Sequence, residues 1–90
     1  MISQASVQIA NERGLHARAS AKFVKLAATF QSTIQVTREE HTVNALSIMG
    51  LMMLAAGIGS TIDIVAEGSD AENAVRALKR LVESRFEEER

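Results

Sequence analysis

The chain has 90 residues, of which 47% are hydrophobic, and its ten basic and eleven acidic side chains leave a formal net charge of −1. This length predicts one small domain over residues 1–90, while the apolar content excludes a disordered tail and the balanced charge argues against a general nucleic-acid binder. The chain has no cysteine and only two histidines, which excludes disulfides and argues against a metal site built from protein ligands alone.

The first half of the chain predicts a strand, a helix and a hairpin. Residues 2–9 alternate between apolar and polar side chains, which indicates a half-buried strand. A polar loop ending at Gly14 follows, and apolar residues then recur at helical spacing over residues 17–29, which predicts an amphipathic helix. Residues 33–37 and 42–45 predict two further strands joined by a charged turn.

The second half predicts a short helix, a fourth strand and a final helix. Ser47 is a preferred N-cap residue before an apolar run that ends at Gly57, a typical C-cap residue. Residues 61–66 alternate and predict the fourth strand. The Ser-x-x-Glu sequence of residues 69–72 predicts a capping box before the last amphipathic helix, and we expect its charged tail, residues 87–90, to fray.

The predicted element order is β-α-β-β-α-β-α. Each strand has one polar face, so we expect a sheet that is covered on one side only, which favours antiparallel pairing. All three helices then share the covered face. The predicted fold class is α+β, an open-faced two-layer β-sandwich with a four-stranded antiparallel sheet.

Two features bear on the location of the protein. No apolar stretch reaches the ~18 residues that a membrane-spanning helix needs. Residues 1–4 lack the basic and apolar regions of a signal peptide. The sequence therefore predicts a cytoplasmic protein without membrane insertion.

His16 lies at or just before the first turn of the first predicted helix. The first amides of a helix have no intrahelical partner and the helix dipole is positive there, so an anion at this end is stabilised. If the imidazole took a phosphoryl group, the amides of Ala17 and Arg18 would lie close to its oxygens. The Arg18 guanidinium could add a charge-assisted contact. On this pattern alone, an ordinary surface histidine is the alternative interpretation.

Residues 14–24, Gly-Leu-His-Ala-Arg-Ala-Ser-Ala-Lys-Phe-Val, resemble the active-site signature of HPr, the histidine-containing phosphocarrier family of the sugar phosphotransferase system. Residues 47–54, Ser-Ile-Met-Gly-Leu-Met-Met-Leu, resemble the second signature of that family at the usual separation. The resemblance covers nearly the whole chain and implies a four-stranded antiparallel sheet with three helices on one side. It also implies that His16 accepts the phosphoryl group on Nδ1 and that Arg18 stabilises it.

The chain departs from the family pattern around the first signature. Family members usually carry proline after the arginine, whereas this chain has Ala19, which restores an N–H group and favours the helix. The preceding loop carries the charged pair Glu12 and Arg13. These departures bear on partner identity and transfer rate rather than on the phosphoacceptor.

Ser47 has two interpretations. From the pattern alone it is an N-cap residue. The resemblance implies in addition a regulatory site, which an HPr kinase/phosphorylase would phosphorylate. A phosphate at this helix start should leave the helix intact and add a charge of about −1.5 to −2 to the surface around it.

The short second helix has more apolar residues than one core face requires. If Leu51, Leu54 and Ala55 point inward, other apolar side chains fall toward solvent. Either the small domain simply buries them, or they form a partner-docking patch, for which flexible methionine is well suited. The candidate docking residues are Ile48, Met49 and Met52.

The resemblance therefore predicts a phosphocarrier rather than an enzyme, which accepts a phosphoryl group on His16 from Enzyme I and passes it to an EIIA-type protein. We expect it to act as a monomer and to need no cofactor or metal. The runner-up is a regulatory HPr-like protein of a nitrogen-related phosphotransferase branch. A rival from another class is an α+β module that binds a small ligand or RNA, although the lack of a basic excess and of exposed aromatic side chains for base stacking argues against RNA.

Overall fold

The computed structural model describes all 90 residues and has the predicted element order. The strands are β1 (Ile2–Gln8), β2 (Thr33–Arg38), β3 (His41–Asn44) and β4 (Thr61–Glu67). The helices are α1 (Ala17–Ala27), α2 (Ile48–Met53) and α3 (Ala71–Glu83), and a one-turn 3₁₀ segment, Arg85–Glu87, follows. The predicted α+β class is confirmed. No helix has the length and apolar character required to cross a membrane.

The four strands form one antiparallel sheet in the order β1-β4-β2-β3. Val7 pairs with Ile62 between β1 and β4, and Val36 pairs with Ile64 between β2 and β4, so apolar positions of neighbouring strands coincide. These side chains are buried beneath the helices, whereas the alternate positions are exposed or partly exposed. One covered and one open face follow directly from the period-two pattern.

Helix α1 buries the stripe that its spacing predicts. Ala19, Phe23 and Ala27 are buried in the core shared with the sheet, while Leu26 is only partly buried. The helix ends at Ala27 rather than near residue 29. Its last turn is closed by i→i+3 bonds, including that from the Thr29 amide to the Leu26 carbonyl at 3.0 Å.

Helix α2 is shorter than predicted because the chain leaves the helix at Ala55, not at Gly57. Ala55 has a positive φ of 51°, a left-handed conformation that a continuing helix does not permit. Its side chain is exposed, so the expectation that it points inward is wrong. Leu51 and Leu54 are buried as predicted.

The predicted capping box before α3 is wrong. The N-cap residue is Asp70, and no side chain caps this helix. The Asp70 carboxylate instead accepts bonds from the Ser32 hydroxyl at 2.6 Å and from the Gln31 and Ser32 amides at 2.8 and 3.0 Å. These bonds, that of the Ser32 hydroxyl foremost, hold the pKa of Asp70 below its usual value. Asp70 therefore ties α3 to the loop that follows α1.

The C-terminal tail, which was expected to fray, lies in contact with the rest of the domain. Phe86 is fully buried, and burying such a ring is worth roughly 1.5–3 kcal/mol, which offsets the backbone entropy of fixing about one or two residues of the tail. Lys22 Nζ donates to the Phe86 carbonyl at 2.8 Å, and the Glu12 amide donates to the Arg90 carbonyl at 3.1 Å. The tail consequently lies against α1 and the loop that precedes it.

Candidate functional site

The start of α1 is held in place by the loop between β1 and α1. Ile9 exchanges two backbone bonds with the segment before β4, donating to Ser60 and accepting from Gly59. The Leu15 amide donates to the Ala56 carbonyl at 3.0 Å, and the Leu15 side chain is buried. His16, the next residue, is thereby placed at a defined point on the surface.

His16 is the N-cap residue of α1. Its backbone is extended, with φ −74° and ψ 178°, and its carbonyl accepts the first helical bond from the Ser20 amide at 2.9 Å. Its side chain caps no amide. The imidazole is therefore available for other contacts, and it is 24% exposed.

The first turn of α1 presents unpaired donors. The amides of Ala17, Arg18 and Ala19 make no hydrogen bond, and the turn contains no acidic residue. Because these amides coincide with the positive end of the helix dipole, an oxyanion attached to the His16 ring would be stabilised there. The amides of Ala17 and Arg18 are thus free in the turn that begins at His16.

A polar cleft of about 480 Å³ opens beside the His16 ring. Arg18 lines it, and the guanidinium of Arg18 makes no ion pair or hydrogen bond to another side chain. The lining contains no hydrophobic residue. The remaining lining residues are Glu12, Arg13, Glu88, Glu89 and Arg90.

One contact of the imidazole comes from a residue that sequence reasoning missed. His16 Nε2 lies 2.5 Å from Oε2 of Glu88, in the tail. Oε1 of the same carboxylate accepts a bond from Nδ2 of Asn11 at 3.0 Å. Partial burial acts to raise the pKa of Glu88, but the hydrogen bonds from Asn11 and His16 prevail and hold that pKa below its ordinary value.

Asn11 is the second residue that was missed. It is fully buried, and its Nδ2 donates both to Glu88 and to the Gly14 carbonyl, the latter at 2.9 Å. Asn11 stands among polar and charged residues of a loop, so nothing in the sequence indicates that it is buried. The only hint of the tail contact was Phe86, an aromatic residue among charged ones.

Ser47 lies at the start of α2 as predicted. Its hydroxyl oxygen accepts a bond from the Gly50 amide at 2.9 Å, so its interpretation as an N-cap is confirmed. The residue is half-buried, and its side chain is engaged in this bond. The regulatory interpretation stays a prediction.

The apolar side chains of α2 that were predicted to face solvent do so. Ile48, Met49 and Met52 are 40%, 70% and 39% exposed, so the alternative that the domain simply buries them is wrong. Met53 and Leu46 extend the exposed surface, and sequence reasoning had not included them. Because α1 and α2 are neighbours in the fold, these exposed apolar side chains lie on the same side of the molecule as α1.

No group of three or more histidine, aspartate or glutamate side chains is arranged to hold a metal ion. His41, the second histidine, is exposed at the start of β3 and takes part in no contact with His16. The site itself offers one imidazole beside free amides, an unpaired guanidinium and a carboxylate.

Comparisons of the sequence and of the structure with known proteins all point to one family. A family model described as the PTS HPr component phosphorylation site matches residues 3–84. Phosphocarrier protein HPr of Cupriavidus necator is 49% identical over 85 residues, which cover 94% of this chain and 96% of that protein. Phosphocarrier protein NPr of Shewanella violacea is 42% identical over 82 residues, covering 91% and 90%. The crystal structure of HPr-C-His from Thermoanaerobacter tengcongensis superposes with a TM-score of 0.93 at 44% identity, covering 98% and 99% of the two chains.

Proposed function

The chain belongs to the HPr family of phosphocarrier proteins, and we propose that it carries the phosphoryl group on His16 between Enzyme I and an EIIA-type protein. Proteins of this family are phosphocarriers rather than catalytic enzymes, so the chain is a protein substrate of the enzymes on either side. The observation that supports the proposal best is the placement of the His16 ring at a helix end with three free amides.

In the proposed reaction, the lone pair of Nδ1 attacks the phosphorus of a phosphohistidine on Enzyme I. The new N–P bond forms as the old one breaks, and the electron pair of the broken bond returns to the donor imidazole. The His16 ring keeps its Nε2 proton and becomes cationic, while a protonated donor ring becomes neutral. The free amides and Arg18 are the groups that would face the phosphoryl oxygens.

The function is tested by incubating the purified chain with phosphoenolpyruvate and either a sugar-type or a nitrogen-type Enzyme I. One acid-labile phosphate per chain is expected with the sugar-type enzyme. Preference for the nitrogen-type enzyme would favour the runner-up function, a regulatory branch, for which the similarity to an NPr protein is the one specific observation. Absence of label with both enzymes would contradict a phosphocarrier role and leave the rival ligand- or RNA-binding module.

Replacing Arg18 by alanine should preserve the fold and slow phosphoryl transfer. The side chain is exposed and unpaired, so its removal breaks no contact of the folded domain. Loss of a charge-assisted hydrogen bond to the transferring group is worth about 1.5 kcal/mol or more, roughly a tenfold reduction in rate. Rapid-quench labelling measures this. Arg80→Ala, which removes an exposed arginine from α3, is the control. Equal transfer rates in the two variants would show that Arg18 takes no part in phosphoryl transfer.

A negative charge at Ser47 should weaken the binding of Enzyme I over the docking patch. Ser47→Asp retains a good N-cap residue, so α2 should stay intact while a carboxylate appears next to Ile48 and Met49. Charge beside an apolar contact surface should reduce affinity by about tenfold. Titration calorimetry with Enzyme I measures this against Ser69→Asp, an exposed serine before α3. Unchanged affinity would argue against both the docking patch and regulation by an HPr kinase/phosphorylase at Ser47.

A further inference from the structure

We propose that Glu88 is a positioning residue that fixes the tautomer of His16, keeping the ring proton on Nε2 and leaving the Nδ1 lone pair free to receive phosphorus. The inference rests on the proposed function of His16. It assigns a role to a tail residue that lies past Ser84, where the matched family segment ends.

The first support is the hydrogen-bond chain that ends on the ring. Nδ2 of Asn11 faces two acceptors, the Gly14 carbonyl and Oε1 of Glu88, so the orientation of this buried amide is defined by both. Oε2 of the same carboxylate is left for the ring. Since an ionised carboxylate only accepts hydrogen bonds, Nε2 must be the donor, and the neutral ring then has no proton on Nδ1.

The second support is the construction of the tail. Arg85, Phe86 and Glu87 have φ angles of 60°, 53° and 64°, a left-handed conformation that is unfavourable for residues other than glycine. This turn inserts the Phe86 ring into the core and carries Glu88 back over the start of α1. Tertiary contacts therefore impose the position of the carboxylate, because the local sequence alone would not favour it.

The bond has a direct consequence for reactivity. A neutral imidazole carries one N–H, and only its other nitrogen has an in-plane lone pair that can attack phosphorus. A ring free in the cleft would exchange between both tautomers and several orientations. A carboxylate on Nε2 selects the tautomer and the ring orientation together, as in other histidine–carboxylate pairs, where a wrong tautomer reduces the rate severely.

The test uses Glu88→Gln, whose side chain has nearly the same shape. Asn11 still presents Nδ2, so the glutamine carbonyl should face Asn11 and its NH₂ group should face His16. The ring nitrogen Nε2 then has to accept, and the proton moves to Nδ1. Nitrogen-15 NMR of the full-length chain, recorded where the ring is neutral, should show the Nδ1–H tautomer of His16, and the transfer rate from phosphorylated Enzyme I should fall on the order of ten- to a hundredfold.

Two further variants give the experiment its controls. Glu88→Ala frees the ring without imposing the wrong tautomer, so it should show a detectable Nδ1–H fraction and a smaller loss of rate than the glutamine variant. Glu87→Gln removes a neighbouring charge whose side chain is exposed and paired with Lys22 rather than His16. It should match the wild type in both readouts.

The outcomes separate this inference from the proposed function. If Glu88→Gln loosens the tail, it should give the same mixed tautomer and intermediate rate as Glu88→Ala, which still supports the role. Wild-type tautomer and rate in both Glu88 variants would overturn it, even with His16 phosphorylated normally. If the wild-type chain takes no phosphate at all, the proposed function fails, while the NMR comparison still decides whether Glu88 fixes the ring.

Discussion

His16→Ala should abolish the incorporation of acid-labile phosphate from phosphoenolpyruvate and Enzyme I. The imidazole is the proposed acceptor at the start of α1, and alanine leaves no ring nitrogen at this position to form the N–P bond. Transfer should fall to the background of the assay, because no alternative nitrogen lies beside the free amides.

The same substitution should leave the domain folded, which makes the loss of labelling interpretable. The His16 side chain caps no amide, and its one hydrogen bond is to a tail residue. We expect a change of about 1 kcal/mol or less in the free energy of unfolding, measured by denaturant titration. His41→Ala, which removes the second, exposed histidine, should be labelled like the wild type. Label on folded His16→Ala protein would contradict the assignment.

Gly14→Ala should be the most damaging small substitution in the loop that carries the site. Gly14 has a φ of +64°, and a Cβ there would lie 2.3 Å from the Ala56 carbonyl oxygen and 2.8 Å from Cα of Gly57. Both obstacles are backbone atoms, and the Ala56 carbonyl already accepts the Leu15 amide. An alanine in this left-handed conformation is strained by about 1–2 kcal/mol, and the loops that contain Gly14 and Ala56 would also have to move apart. We expect the free energy of unfolding to fall by roughly 3 kcal/mol in total.

Thermal unfolding measures this effect. For a domain of this size, roughly 3 kcal/mol lowers the melting temperature by about 12–24 °C. Gly57→Ala is the matched control, because a Cβ at Gly57 would meet no atom within 4 Å and its φ is not positive. Its free energy of unfolding should change by about 1 kcal/mol or less, so its melting temperature should stay within a few degrees of the wild type. Equal melting of the two variants would show that the close approach of Gly14 to Ala56 does not constrain the loop.

Periodic burial explains why most of the fold could be predicted from the sequence. Val36 and Ile64 lie on strands in which apolar and polar residues alternate, and Phe23 lies on the apolar stripe of a helix. In each case the pattern of neighbouring residues indicates which face of the strand or helix is buried. Element ends were less predictable because they depend on tertiary contacts. Ala55 turns the chain before Gly57, although glycine is the usual residue for such a turn. Asp70 bonds to a distant loop in place of its own helix.

The candidate site was predictable to the extent that its residues are local. His16, Arg18 and Ser47 each lie at the start of a helix, and helix starts can be located from the chain itself. Glu88 reaches His16 from 72 residues away, through a left-handed turn that no local propensity favours. This contact depends on the burial of Phe86 in the core, and that burial can be seen only in the folded molecule.

The most direct test of the central claim is to find the atom that carries the phosphate. The chain, labelled with nitrogen-15 in its histidine rings, would be phosphorylated with Enzyme I and phosphoenolpyruvate and examined at alkaline pH by phosphorus-31 and nitrogen-15 NMR. We predict a single phosphorus resonance coupled to Nδ1 of His16. A phosphate on His41, on a serine, or on no residue of the chain would contradict the account.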